Sequence, residues 1–320
     1  MSSGTTVTEM PPARLRPAQV GFLAMMVSVT GYSFLPVFTT RLLELGVEPV
    51  EIAVWRYALT VPIFWAIVFV LGRRNRGRPA PEHSRLPRVR LMLLGTLLAV
   101  AALTAFFGLQ RISAGTYVVI FYTYPAMTAV LLLLLGERLS GWGWAALALT
   151  LVGVVLTVPD FSEGLAGGNL IGVLLALLNA LIVAIYFILN SRLLKGRSAL
   201  VRAAALTTTG ALAALVVVGV ATGARLPAAP EAWLYLVALA VVSTVLPIFT
   251  TNVGIQRLGP ARAAILGSVE PLLTAFLALL LLGQTMAQIQ WLGGLVIVAS
   301  VILLQTLGAR HASDKILTDH

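Results

Sequence analysis

Two charged side chains stand deep inside long apolar runs of this 320-residue chain: Arg56, in AVWRYALTV, and Glu270, in GSVEPLLTA. A charge at the centre of a bilayer costs at least about 2.5–3.5 kcal/mol by insertion scales, so such a residue usually faces a cavity or a partner. Glu270 lies nine residues beyond Ala261, roughly 13 Å along a helix, near the middle of a hydrocarbon core about 30 Å thick. Pro271 beside it has no N–H, so a carbonyl one turn earlier loses its helical partner. Interrupted helices of that kind build transporter substrate sites. The chemistry on offer is a carboxylate that binds a cation, an amine or a proton; the alternative is a neutral glutamic acid hydrogen-bonded to a neighbouring helix. Arg56 sits about six residues into its run, roughly 9 Å from one face. It either holds a carboxylate, that of Glu270 or of a substrate, or extends back to the interface.

The elements that must position these residues follow from composition. Hydrophobic residues make up 59% of the chain, charged residues 11%, and the mean hydropathy is +0.96. Soluble domains carry about 25% charged residues, so this is an all-α integral membrane protein, not a soluble enzyme or a disordered chain. Ten apolar segments have spanning length: about 18–39, 50–71, 90–110, 114–135, 141–158, 169–190, 199–221, 232–255, 262–282 and 287–307. They run continuously apolar, without the alternation of a transmembrane barrel. The first follows Arg14 and Arg16 but no small-residue cleavage site follows it, so it reads as a retained span.

The net charge of +10 belongs to the loops and reports topology rather than nucleic-acid binding. With both termini in the cytoplasm, the inside segments hold 18 basic residues and the outside loops hold Arg41, Arg111 and Arg225 only. That is the positive-inside asymmetry. Arginine outnumbers lysine 20 to 2 in an Ala-, Leu-, Gly- and Val-rich chain, a bias that suggests a GC-rich bacterium and an inner (cell) membrane location.

The chain contains itself twice. Gly108-Leu-Gln-Arg111 matches Gly254-Ile-Gln-Arg257, and Pro125-Ala-Met-Thr128-Ala129 matches Pro271-Leu-Leu-Thr274-Ala275, both at an offset of 146. Trp144 matches Trp291 one residue further on, and Arg41-Leu-Leu43 matches Arg192-Leu-Leu194 at an offset of 151. The expected organisation is a cytoplasmic tail over 1–17, five-helix repeats over 18–158 and 169–308, and a cytoplasmic tail over 309–320. Five spans per repeat force the second into the membrane upside down, the inverted architecture that gives a transporter two similar gates.

The repeat equates Tyr124 with Glu270 and, at the 151 offset, Ser28 with Asn179. Tyr117, seven residues before Tyr124, is expected on the same helix face. The candidate substrate or coupling residues are therefore Glu270, Tyr124, Arg56, Tyr117, Asn179 and Ser28, with Pro125 and Pro271 as helix breakers. For the tyrosines, lining a cavity and bonding across helices weigh equally; for Asn179 and Ser28, bonding between helices is the commoner role. Asn190, Thr207–Thr209 and Thr250–Asn252 are weaker candidates, and Pro36, Pro62 and Pro247 mark kinks.

The stretch ARAAILGSVEPLLTAFLALLLLGQTMAQIQWLGGLVIVASVILLQ (261–305) resembles the closing spans of the EamA-type drug/metabolite transporter superfamily. YPAMTAVLLLLLGERLSGWGWAALALTLVGVVL, with Gly136-Glu137-Arg138 at a helix end, resembles the other copy. Arg56 matches an arginine common in that family's second span; Gln284 departs from its usual glutamate. The resemblance covers about 18–308 and implies a ten-helix, two-repeat carrier of small metabolites, often an exporter of amino acids or related compounds.

No cysteine is present, the three histidines lie in a loop and the tail, and there is no Gly-Lys-Ser/Thr phosphate loop. No cofactor, metal or ATP hydrolysis is expected. The expected partners are a small-molecule substrate, membrane lipid and protons as coupling ion, with a homodimer compatible with the reading. A channel or membrane sensor module is the alternative function, and an intramembrane lipid-modifying enzyme a more distant one.

Overall fold

The computed structural model describes residues 16–74, 86–109, 111, 117, 120–137, 139–157, 170–197, 199–282, 287–289, 291–300 and 303. Both tails, most of the 73–90 loop, Arg138, the 158–169 connection and Gly283–Gln284 lie outside them.

The described residues are helices and short connections, with no strand among them. In chain order they are α1 (Pro17–Ser33), α2 (Leu35–Glu44), α3 (Pro49–Arg74), α4 (Arg88–Leu109), α5 (Tyr124–Leu134), α6 (Gly141–Thr157), α7 (Leu170–Leu194), α8 (Leu200–Thr222), α9 (Pro230–Ala240), a π-helical turn Val241–Val245, α10 (Leu246–Leu258), α11 (Pro260–Gly267), α12 (Glu270–Leu282) and α13 (Trp291–Ser300). Proline opens α1, α3, α9 and α11, where its missing N–H would have no helical acceptor. Gly136 closes α5 with φ +84°, and the Glu137 N–H turns back to the Leu132 carbonyl at 2.9 Å. That is the cap for which a residue without Cβ is suited.

Six helical segments among the described residues are long and apolar enough to span a bilayer: Pro17–Glu44, Pro49–Arg74, Arg88–Ala105, Leu170–Leu194, Leu200–Thr222 and Pro230–Leu258. Tyr124–Leu134, Gly141–Leu156 and Trp291–Ser300 are shorter apolar helices. The expected spans 114–135 and 287–307 run partly through residues outside the description. The span expected over 262–282 is present as two pieces, α11 and α12. Val217, Val220, Leu234 and Leu280 stand mostly exposed, as lipid-facing side chains do; in water such a surface would associate. The protein is a multi-pass helical membrane protein.

The closest packing joins the first half of the chain to the second. α1 lies along α10, α4 between α7 and α8, α3 on α8, α5 on α7 and α2 on α9. Small residues permit it, as between membrane helices generally. A Cβ at Gly95 would strike the Thr207 carbonyl, and one at Gly210 the backbone of Met92, so α4 and α8 touch through their main chains. One buried cluster runs from Met25 and Val29 through Tyr122 and Tyr124 to Phe187, Ile265 and Ile297. A separate one, Leu42, Ile52, Leu236 and Leu239, holds α2, α3 and α9 together.

Candidate functional site

Two helix interruptions flank the centre, and they match residue for residue at the 146 offset. Before α5, Tyr122 and Thr123 form a turn in which the Thr123 N–H reaches the Ile120 carbonyl, at 3.1 Å. Before α12, Ser268 and Val269 do the same, the Val269 N–H reaching Leu266 at 3.3 Å. Both helices then restart with Pro at the second position, Pro125 and Pro271. The proline explains the restart: it donates no hydrogen bond and disfavours a helical residue before it.

The second interruption leaves the Ala264 carbonyl without its ordinary i+4 donor, because the Ser268 N–H turns to Ile265 at 3.1 Å. Two hydroxyls supply the replacement: that of Tyr124 donates to Ala264 O at 3.1 Å and that of Ser268 at 3.4 Å. Tyr124 can approach because residue 267 is glycine; a Cβ there would collide with the tyrosine hydroxyl. The two broken helices are thus joined through the tyrosine of one and the carbonyl of the other.

Beside this junction lies a cavity of about 200 Å³. Its wall carries Glu270, Tyr32, Phe121, Tyr124, Tyr186 and Phe187, with Ser28 and Thr251 on one side. Glu270 is part-buried, and the Tyr122 hydroxyl hydrogen-bonds its carboxyl group. The Ser28 and Thr251 hydroxyls are 2.5 Å apart, and Ser28 donates to the Pro247 carbonyl at 3.2 Å. Ser28 therefore both lines the cavity and ties α1 to α10.

Arg56 is held elsewhere. Just after the π-helical turn, at the second residue of α10, stands Pro247, whose ring nitrogen cannot bond the Ser243 carbonyl four residues back. Arg56 Nη2 takes that carbonyl at 3.1 Å, and its Nε donates to Thr244 Oγ1 at 2.6 Å. Thr244 in turn donates to the Leu239 carbonyl at 2.8 Å, five residues earlier. No ion pair links Arg56 to Glu270, and Arg56 is not in the wall of the cavity.

Of the expected residues, Glu270, Tyr124 and Ser28 meet at one cavity. Tyr117 and Asn179 do not: the Asn179 amide donates to the Tyr117 hydroxyl at 2.5 Å, joining α7 to the segment before α5, and Tyr117 packs against Ala176 and Ile120. The turn at Tyr122–Thr123 intervenes between Tyr117 and Tyr124, and of the two it is Tyr124 that reaches the cavity wall. Asn190 bonds Asn252 at 2.7 Å, again between helices. Gln256, from the repeated Gly-x-Gln-Arg motif, donates to the Leu194 and Arg197 carbonyls at 3.0 and 2.5 Å and so caps α7. Sequence reasoning missed Tyr32, Phe121, Tyr186 and Phe187. Their aromatic types in apolar runs were the signal, but helices apolar all round do not say which face meets a cavity.

The loops pair in two separate groups. Glu51 accepts from the Arg225 N–H at 2.8 Å, and Trp55 Nε1 donates to the Arg225 carbonyl at 2.8 Å, clasping the α2–α3 and α8–α9 connections. At the other group, Arg192 lies 3.6 Å from Glu137.

The family profile described as the EamA-like transporter family matches residues 19–158 and 170–306. The chain is 26% identical over 291 residues to the uncharacterized transporter YcbK of Bacillus subtilis, covering 88% of this chain and 91% of that one. It is 26% identical over 232 residues to the uncharacterized inner membrane transporter YedA of Escherichia coli K12, covering 70% and 74%. A crystal structure superposes with a TM-score of 0.73 at 18% identity, covering 92% of this chain and 99% of the other, a likeness of fold. With both halves matched over most of their length, this chain is a member of the EamA-like transporter family.

Proposed function

We propose that this protein is a secondary transporter that moves small metabolites, amino acids or related compounds, out of the cell by alternating access. It does so with ten spans arranged as two inverted five-helix repeats, with both termini in the cytoplasm of a bacterial inner membrane. The observation that carries the reading is the cavity at the junction of two interrupted helices, with Glu270 the one charged side chain among its described lining residues. A carboxylate there can exchange a proton for a substrate cation, and Tyr122 and Tyr124 hold its surroundings by hydrogen bonds.

Two contacts support the internal two-fold relation. At an offset of 147, Thr150 answers Ile297 and Gly153 answers Ser300. Thr150 bonds Ser300 at 2.8 Å, while a Cβ at Gly153 would lie 2.6 Å from Ile297. Those are the two members of one symmetric pair, as an isologous contact requires. The loop pairing supports the topology: 45–51 meets 222–229, both expected outside, and Glu137 meets Arg192, both expected inside.

Counterflow in proteoliposomes tests the function. A bounded set of metabolites should exchange, with a rate that depends on pH. Failure of any amino acid, amine or related metabolite to exchange rejects the transporter reading, and conductance without saturation favours a channel. Single cysteines at Arg225 and Lys195 test topology in a chain without native thiols. An impermeant reagent applied to intact cells should label the first and spare the second; the reverse pattern overturns the orientation.

A further inference from the structure

We infer that the central cavity selects small organic cations that carry no carboxylate, ammonium or methylated ammonium ions, by enclosing them in aromatic rings around one carboxylate. The inference rests on the reading of this cavity as the transport site; within small metabolites it replaces the amino acids named above with amines.

Three features carry it. The first is the wall. Phe121 and Tyr124 have ring centroids 5.4 Å apart, Tyr124 and Phe187 5.7 Å, and Tyr186 and Phe187 6.3 Å, a continuous aromatic surface with Glu270 in the same cavity. Rings of this kind attract a cation placed over their faces, the more so when it is desolvated, and alkylated ammonium groups suit them. A carboxylate adds the charge that the ring quadrupoles alone do not supply.

The second is the direction in which the polar groups point. The Tyr124 hydroxyl donates to Ala264 O. Ser28 donates to Pro247 O and is bonded to Thr251, and Tyr32 reaches Thr251. Tyr122 is engaged with Glu270. Among the described lining residues, the Tyr186 hydroxyl alone has no such engagement, and no lysine, arginine or histidine stands in the wall. A substrate carboxylate would therefore be buried against one neutral donor, at the desolvation cost of an unpaired anion. Arg56 could serve it only by leaving Thr244 and the Ser243 carbonyl.

The third is size. A cavity of about 200 Å³ holds about seven water-sized groups at roughly 30 Å³ each. A tetramethylammonium ion fits.

The test is binding to the purified full-length protein in lipid nanodiscs, by titration calorimetry with tetramethylammonium, with alanine as a zwitterion and with tert-butanol as a neutral compound of similar size. Tetramethylammonium should bind saturably and the other two should not compete with it. Phe187→Leu should weaken it roughly 5- to 30-fold by removing one ring face. Glu270→Gln should weaken it on the order of 10-fold or more by removing the charge. An unchanged thermal midpoint for each variant shows that the fold is intact. Alanine binding more tightly than tetramethylammonium, or tetramethylammonium binding indifferent to both Phe187→Leu and Glu270→Gln, overturns the inference. Counterflow keeps it separate from the transporter reading. Exchange of amino acids without ammonium binding defeats the substrate class alone, whereas ammonium binding with no exchange of any solute defeats transport and leaves the class standing.

Discussion

The turn at Tyr122–Thr123 and the turn at Ser268–Val269 are built from the same backbone, with the same shortened hydrogen bond and the same proline two residues on. The side chains at the matched positions differ. Tyr124 answers Glu270, and Phe121 answers Gly267. The first half contributes rings and a hydroxyl, and the second contributes a carboxylate and the space into which that hydroxyl fits. On the proposed two-repeat organisation the common backbone is inherited from one ancestor, and the single charge arises by divergence after it. A second carboxylate at residue 124 would face Glu270 across a small cavity, and two like charges there repel. The kinks not shared between halves have an equally local cause. Pro36 and Pro247 stand opposite Phe187 and Ala101, and accordingly α1 breaks from α2 and α9 from α10 while α7 and α4 continue as single helices.

The largest expected effect separates the two matched positions. Glu270→Gln keeps size and hydrogen bonding but not charge, and should lower counterflow on the order of 100-fold, with any residual exchange losing its pH dependence. Tyr124→Phe removes one hydroxyl and should lower it only about 3- to 10-fold, the scale of one hydrogen bond. Equal losses at both positions would erase the distinction between a charged and a supporting half. Wild-type transport by Glu270→Gln with an unchanged pH profile would make Glu270 structural.

The unshared kink offers a sharper test. Arg56→Met should destabilise the protein by roughly 1.5–3 kcal/mol, because a charged donor leaves a buried carbonyl. In a Pro247→Ala background the main chain can recover Ser243 O, so the same change should cost about 1 kcal/mol less. Equilibrium unfolding in mixed micelles measures the cycle. Strict additivity would mean that the arginine is not compensating for the proline. The smallest effect belongs to the symmetric contact between α6 and α13. Thr150→Val should cost about 0.6 kcal/mol, the average for a hydrogen bond between membrane helices; a loss of several kcal/mol would mean that the crossing depends on that bond rather than on packing around Gly153.

The division between what the sequence made legible and what it hid follows the same physics. Glu270 and the two prolines were visible because each residue type violates the rule of its surroundings: a charge in hydrocarbon, or an imino acid in a helix. The equivalence of Tyr124 and Glu270 was visible because a repeat needs no structure to be aligned. That Tyr117 stays out of the cavity wall was not, since a turn at Tyr122–Thr123 intervenes and seven-residue spacing holds only within an unbroken helix. Nor were Tyr32, Tyr186 and Phe187, because an aromatic residue in an all-apolar helix suits lipid, core or cavity equally well, and only the assembled neighbours decide. Pro247 marked a kink, but not that Arg56 would bond the carbonyl it released.

The interlocking of the halves bears on biosynthesis. α4 ends at Leu109, yet its main packing surfaces, α7 and α8, are complete only at Thr222. A ribosome adding about 5–20 residues per second needs roughly 6–23 s to cover that interval. Throughout it the backbone-deep notch at Gly95 has no neighbour from the second half. The nascent first half is therefore a client for whatever holds unpaired helices in the membrane, and it is the stage at which a small-to-large change in that notch would first be felt, before any substrate is met.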